Sequence, residues 1–242
     1  DDFLLPRKFE LQVAALRAHS ECGIAYGVTR LVDERGATIE EPLKRTGQVH
    51  RYLFPKILVE RWWSTHTPLW RREVCDRIGP WRAMWLGEDW EYDARAASLG
   101  VELAYCPEVV SAHRQHATPR LSRREWTAAV MRDQCQLILA LEQAARCALP
   151  TLALPEMAVF SRWAFLTARR AGAVGLPQAA ADCFAAALRT AGPLRARGMD
   201  FRLYRALAGA LGWCRMGKFS AWLDGFRPDR GRSTSIPVRA IE

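Results

Sequence analysis

Apolar and polar positions follow two grammars along this chain: helix and strand periods alternate up to about residue 106, and from Ser122 onward only the helical period remains. Pro6 suits a first helical turn, and Phe9, Val13 and Leu16 then recur at helical spacing, predicting a helix up to His19. Ile24 to Val32 reads as a strand, followed by a turn at Asp33-Glu34-Arg35-Gly36 and a short return through Ala37 to Ile39. Arg71 to Ile78 and Asp89 to Leu99 read as helices stopped by Gly79-Pro80 and Gly100. Val101 to Cys106 is a strand that Pro107 is expected to close. The first half is therefore α/β material.

Four Ala- and Leu-rich helical stretches follow, at 123–147, 155–172, 177–191 and 200–223, separated by Pro and Gly punctuation. They predict a small helical bundle or a pair of helical hairpins. Residues 175–188 look like one helix of a tetratricopeptide unit, but no second copy follows at that repeat's period. In 200–223, Phe201, Tyr204, Leu207 and Leu211 oppose Arg202 and Arg205, the pattern of a packed or membrane-surface helix. Continued as one helix, however, the period carries Arg215 and Lys218 back onto the apolar side. Residues 226–242 are polar, with Gly and Pro, and are expected to be a disordered tail.

Composition narrows the class. With 242 residues, half of them hydrophobic and a quarter charged, the chain suits one large or two small globular domains. No run approaches the ~18 apolar residues of a membrane span, which argues against an integral membrane protein. The N-terminus carries neither a signal peptide nor a Met, so the chain reads as part of something longer. Seven cysteines with no CxxC pair indicate reduced, packed thiols in a cytoplasmic setting. The charge is uneven: residues 1–119 hold 16 Lys and Arg against 17 Asp and Glu, whereas 120–242 hold 19 against 9. A basic half can serve nucleic acid or anionic lipid, or simply be a solvated helical face. Without zinc spacing or RNP-like sequence, nucleic acid is not expected as a partner.

Three clusters could carry chemistry. Gly87-Glu88-Asp89-Trp90-Glu91 lies where a loop enters a helix, so its carboxylates suit either capping or catalysis. Six of the ten tryptophans fall within residues 62–90, and Trp62, Trp63, Trp81 and Trp85 could floor a sugar or simply fill the core. His113-Arg114-Gln115-His116 follows a strand and suits metal or phosphate contact as well as an exposed basic loop. Asp1-Asp2, before Phe3-Leu4-Leu5-Pro6, has the chemistry of a hard-cation site or of a plain linker.

Taken in order, these segments resemble family 2 glycosyltransferases of the GT-A fold. The resemblance covers about residues 1–122 and is carried by Asp-Asp-Phe-Leu-Leu-Pro-Arg-Lys, Gly-Val-Thr-Arg-Leu-Val-Asp-Glu-Arg-Gly, Arg-Arg-Glu-Val-Cys-Asp-Arg-Ile-Gly-Pro-Trp and Gly-Glu-Asp-Trp-Glu-Tyr-Asp-Ala-Arg-Ala-Ala. It implies a partial, Rossmann-like GT-A domain over 1–122, its acceptor-side half, with an all-α helical extension over 123–225. The family's nucleotide-binding half would precede Asp1, leaving this piece inactive alone. The implied reaction is inverting transfer of a sugar from a nucleotide-diphosphate donor to a glycan or lipid-linked acceptor. Glu88 and Asp89 would supply the catalytic base, and Asp1, Asp2 and His116 would hold Mg²⁺ or Mn²⁺. Arg114 and His116 would meet the diphosphate, and Trp62, Trp63, Trp81 and Trp85 would meet the acceptor. Asp1, Asp89 and His116 should then share one cleft edged by some of these tryptophans. Peripheral attachment to the inner membrane face through the basic half would suit a lipid-linked acceptor. The alternative is a non-catalytic glycan-binding or helical adaptor module.

Overall fold

The computed structural model describes residues 2–115 and 127–225. A sheet forms one layer, with elements β1 (Phe3–Leu4), β2 (Cys22–Val32), β3 (Thr38–Glu40), β4 (Leu69–Trp70) and β5 (Glu102–Arg114). Its spine is the parallel pair β2 and β5; β1 joins the far side of β5 antiparallel, and β3 and β4 share the other edge of β2. Cys22 to Thr29 of β2 are buried without alternation, as expected for a strand covered on both faces. Ile24 and Tyr26 belong to the large core, while Ala25 joins Leu16, Cys22 and Ala104 in a small one on the side of α1 (Lys8–Ala18).

Two expectations for this half are corrected. Pro107 does not close its strand. The partner of Cys106 is Gly27 and that of Val109 is Val28, so Pro107 and Glu108 bulge out to solvent and pairing resumes up to Arg114. The inward face of α1 is not the apolar stripe either. Phe9 is 56% exposed and Val13 36%, while Lys8, Gln12 and Leu16 are buried. The reason is hydrogen bonding: the Lys8 ammonium donates to the Thr67 carbonyl at 2.8 Å and to Gln12 Oε1, and Gln12 Nε2 donates to the carbonyls of Ala25 and Thr67 at 3.0 and 2.9 Å. These donors satisfy carbonyls that aliphatic side chains would leave unpaired. Burial pushes the Lys8 ammonium down to about 8.

Helices α2 (Arg72–Ile78) and α3 (Glu88–Ser98) lie between β4 and β5 in sequence, and the second half contributes α4 (Ala128–Ala148), α5 (Pro155–Ala173), α6 (Pro177–Thr190), α7 (Gly192–Ala196), α8 (Met199–Leu211) and α9 (Trp213–Gly225). Thr127 caps α4 by accepting the Val130 amide, and Pro155 and Pro177 open α5 and α6 where a missing N–H costs nothing. The expected single helix over 200–223 is two, because Gly212 (φ 86°, ψ 148°) takes a conformation open to glycine and restarts the helix. Where α5 and α9 cross there is no room for a side chain: a Cβ on Gly217 would lie 2.4 Å from the Ala173 nitrogen. One hydrophobic core runs from Ile24 and Tyr26 through Trp62 and Ala96 to Ile138, Phe160, Phe184 and Phe201. Trp90 of α3 stacks on Trp163 of α5 at 5.1 Å, and Lys56 pairs with Glu156 at 2.8 Å, so the helical layer packs directly on the α/β layer. The expected disordered tail falls outside the described residues. Among those residues no helix is long and apolar enough to cross a membrane.

Candidate functional site

A cavity of about 450 Å³ is lined by Asp2 and Gln115, by Leu43 and Lys44, by Arg61, Trp63, Ser64, Thr65 and His66, and by Leu31, Asp89 and His113. Register places its first carboxylate. Phe3 pairs with Ala112 of β5, which sets Asp2 beside His113 and Arg114. Asp2 Oδ1 accepts the Arg114 backbone N–H at 2.9 Å, and Oδ2 lies 3.0 Å from His113 Nδ1 and 3.2 Å from His66 Nδ1. Burial alone would raise the Asp2 pKa, but the Arg114 amide and the two imidazoles outweigh it and hold the carboxyl below its usual range. The His66 and His113 rings stack at 6.2 Å, 3° from parallel. Burial lowers the pKa of His66 despite the nearby carboxylate, and its Nε2 is buried without a hydrogen-bond partner among the described residues.

Helix phase places the second carboxylate. Gly87 precedes α3 with φ 82°, a backbone region that disfavours any side chain, and a Cβ there would meet Leu137 Cδ2 of α4 at 2.8 Å. The turn thus tucks under α4 and delivers Glu88 and Asp89 into the first helical turn, where the helix dipole favours negative charge. Trp85 reinforces it by donating its backbone N–H to Asp133 at 2.7 Å. Asp89 Oδ1 accepts the Trp90 amide at 2.7 Å, and Oδ2 accepts from the Thr65 hydroxyl at 2.9 Å and lies 2.8 Å from Arg61 Nη1. The same Arg61 donates through Nε to Asp93 at 2.7 Å, one helical turn further along. Asp93 also accepts from Trp63 Nε1 at 2.8 Å; full burial raises its pKa against the pull of Arg61 and Trp63. Lys44 holds φ 55°, a left-handed backbone uncommon outside glycine, and donates its ammonium to the Arg61 carbonyl.

The expected site residues divide accordingly. Asp2, Asp89 and Trp63 line the cavity. Glu88 is half-buried at the start of α3 and outside the lining; Arg114 touches the site through its backbone, its guanidinium donating instead to the Glu34 carbonyl at 2.7 Å. Trp62 is buried in the core, edge-on to Tyr26 at 5.1 Å. Trp81 stacks on Tyr92 at 4.7 Å and Trp85 is 83% exposed, both outside the lining. Asp1 and His116 lie outside the described residues. Among those described, no group of three or more His, Cys, Asp and Glu is arranged to hold a metal ion. Asp2 offers the carboxylate oxygen that Mg²⁺ or Mn²⁺ favours, but the imidazoles beside it are not oxygen donors and are turned on that carboxylate, so an ion here would need ligands beyond the described set.

No family model matches the chain, and no curated protein matches it. Among solved structures, S. aureus TarS 1–349 in complex with UDP-GlcNAc matches with a TM-score of 0.50 at 11% sequence identity, covering 94% of this chain and 67% of that one. The fold is similar to that of a glycosyltransferase.

Within this glycosyltransferase-like fold, the residues that sequence reasoning passed over are Lys44, Arg61, Thr65 and His66. Tryptophans drew attention to the segment 61–66, Arg-Trp-Trp-Ser-Thr-His, although most of the cavity's polar contacts come from the side chains around them. Polar residues interrupting an aromatic run were the available signal. For Lys44 there was none, since a positive φ leaves no mark in composition.

Proposed function

We propose that the chain is part of a family 2 glycosyltransferase that moves a sugar, with inversion, from a nucleotide-diphosphate donor to a hydroxyl of a glycan or lipid-linked acceptor. The single observation that carries the reading is the shared cavity: a carboxylate fixed by strand register and another fixed by helix phase face one space. In the proposed step the acceptor oxygen bonds to the anomeric carbon while the bond from that carbon to the diphosphate breaks, the nucleoside diphosphate leaving with the electron pair. The acceptor proton passes to Asp89. A carboxylate offers about four lone-pair sites, and contacts from Trp90, Thr65 and Arg61 leave room for that proton. Arg61 and Thr65 orient the base, and Arg61 is tied down in turn by Asp93.

The donor diphosphate is assigned to the Asp2 side, with Arg114 and His116 as its assigned contacts; the Arg114 guanidinium would leave the Glu34 carbonyl to reach it. Mg²⁺ or Mn²⁺, with Asp1, Asp2 and His116 as the assigned ligands, would offset charge gathering on the leaving group. TarS is in complex with UDP-GlcNAc, which makes that compound the first donor to test. In the full-length protein, Asp89→Asn should lower kcat by at least about a hundredfold, the scale of a positioned general base, and leave donor Kd nearly unchanged. Unaltered turnover would sink the assignment and favour a non-catalytic binding module.

A further inference from the structure

The consecutive helices α8 and α9 turn a mixed basic and apolar surface to solvent. α8 buries Phe201, Tyr204 and Ala208; α9 buries Met216, Gly217 and Ser220. The break at Gly212 decouples their phases, so Arg215 and Lys218, which one continuous helix would turn inward, emerge exposed. With Arg202 and Arg205 they make four exposed cations, none in an ion pair with a described residue. The two carboxylates of this segment are engaged: Asp200 by Arg195 at 3.1 Å and Asp224 by Arg169 at 2.7 Å. On the same two helices Leu203, Leu211, Phe219, Trp222 and Leu223 are 56, 47, 46, 58 and 43% exposed, and Phe219 stacks on Trp222 at 5.8 Å.

The combination discriminates between partners. Nucleic acid would use the cations and the Phe219–Trp222 pair, but it would leave the three exposed leucines uncovered. An acidic protein would use the cations without asking for exposed leucines around them. A layer of anionic headgroups uses both, taking leucine and phenylalanine below the phosphate level and arginine and lysine at it. We propose that the α8–α9 face docks on an anionic lipid surface. This stands apart from the catalytic reading, since none of these residues lines the cavity.

The test is co-sedimentation of the full chain with vesicles of phosphatidylcholine alone and of phosphatidylcholine mixed with phosphatidylglycerol, at low and physiological salt. Binding should require the anionic lipid and weaken with salt. The triple variant Arg202→Glu, Arg215→Glu, Lys218→Glu should lower partitioning by at least about a hundredfold, taking about fivefold for each cation near the surface. Leu203→Asp with Phe219→Asp should lower it as well, with all cations retained; unchanged circular dichroism would show that both variants remain folded. Absence of binding at low salt overturns the proposal, as does equal binding to phosphatidylcholine alone. Undiminished binding by the triple variant would place the contact elsewhere. Retention of a labelled oligonucleotide without vesicle binding would assign the cations to nucleic acid.

Discussion

Gly87→Ala tests how the helical layer holds the loop before α3. The residue sits at φ 82°, and a non-glycine side chain in a left-handed backbone costs about 1–2 kcal/mol. The added methyl would also lie 2.8 Å from Leu137 Cδ2. Leu137 is only 2% exposed, so it can yield only by leaving its rotamer well, at about 0.5–1.5 kcal/mol. The combined loss, about 1.5–3.5 kcal/mol, corresponds to a Tm lower by roughly 5–10 °C for a chain of this size. Leu137→Ala alone should cost about 2–5 kcal/mol through the cavity it leaves. In the double variant the clash is gone while the backbone penalty remains. Urea unfolding of all four proteins should therefore show the double variant more stable than additivity predicts, by about 0.5–1.5 kcal/mol. Independent sites add within about 0.5 kcal/mol, so a strictly additive cycle would refute the contact. A Gly87→Ala protein as stable as the parent would refute the backbone argument too.

Lys8→Met should alter the pH dependence of stability: the folded pKa, about 8, lies below the ordinary lysine value of 10.5, so the folded state releases the proton first and stability rises with pH between those values. The variant should lose that rise and gain up to about 3 kcal/mol at neutral pH, less the value of the hydrogen bond to Thr67; urea midpoints at pH 7 and 10 would check it, and a parallel pH profile would contradict it. Trp62→Ala, in the buried core, should cost about 3–5 kcal/mol, whereas Trp85→Ala, at an 83% exposed position, should change stability by less than about 0.5 kcal/mol; equal losses in thermal unfolding would contradict this placement.

Elements whose period is set by burial were legible in the sequence: β2, α2, α3 and the helices from α4 to α6 fall close to where apolar spacing and Gly or Pro punctuation put them. Two of the misses share a cause, which is that a local pattern cannot show what a distant carbonyl or strand demands. Lys8 and Gln12 turn inward because Ala25 and Thr67 need donors, and that reverses the face expected of α1. Pro107 stays within a strand because the pairing of Gly27 and Val28 tolerates a bulge. Gly212 breaks a run that helical period alone would continue. For the candidate site, the acidic positions were readable as motifs. The groups around Asp89 and Asp2 were not, since Arg61, Thr65 and His66 reach them across the chain from a loop without a period of its own.

The different origins of the two cavity carboxylates bear on how the site can diverge. Asp2 is tied to a strand edge, where a slip of one residue turns the side chain to the opposite face. Asp89 is tied to a helix, where a one-residue change rotates it by roughly 100°. Their separation therefore changes only in discrete jumps, each of which would dismantle the cavity. Graded variation is left to the segment 61–66, whose members touch both carboxylates and obey neither register nor helical phase. Under the proposed transfer, related chains with different substrates should differ most in that stretch while the two acids stay fixed.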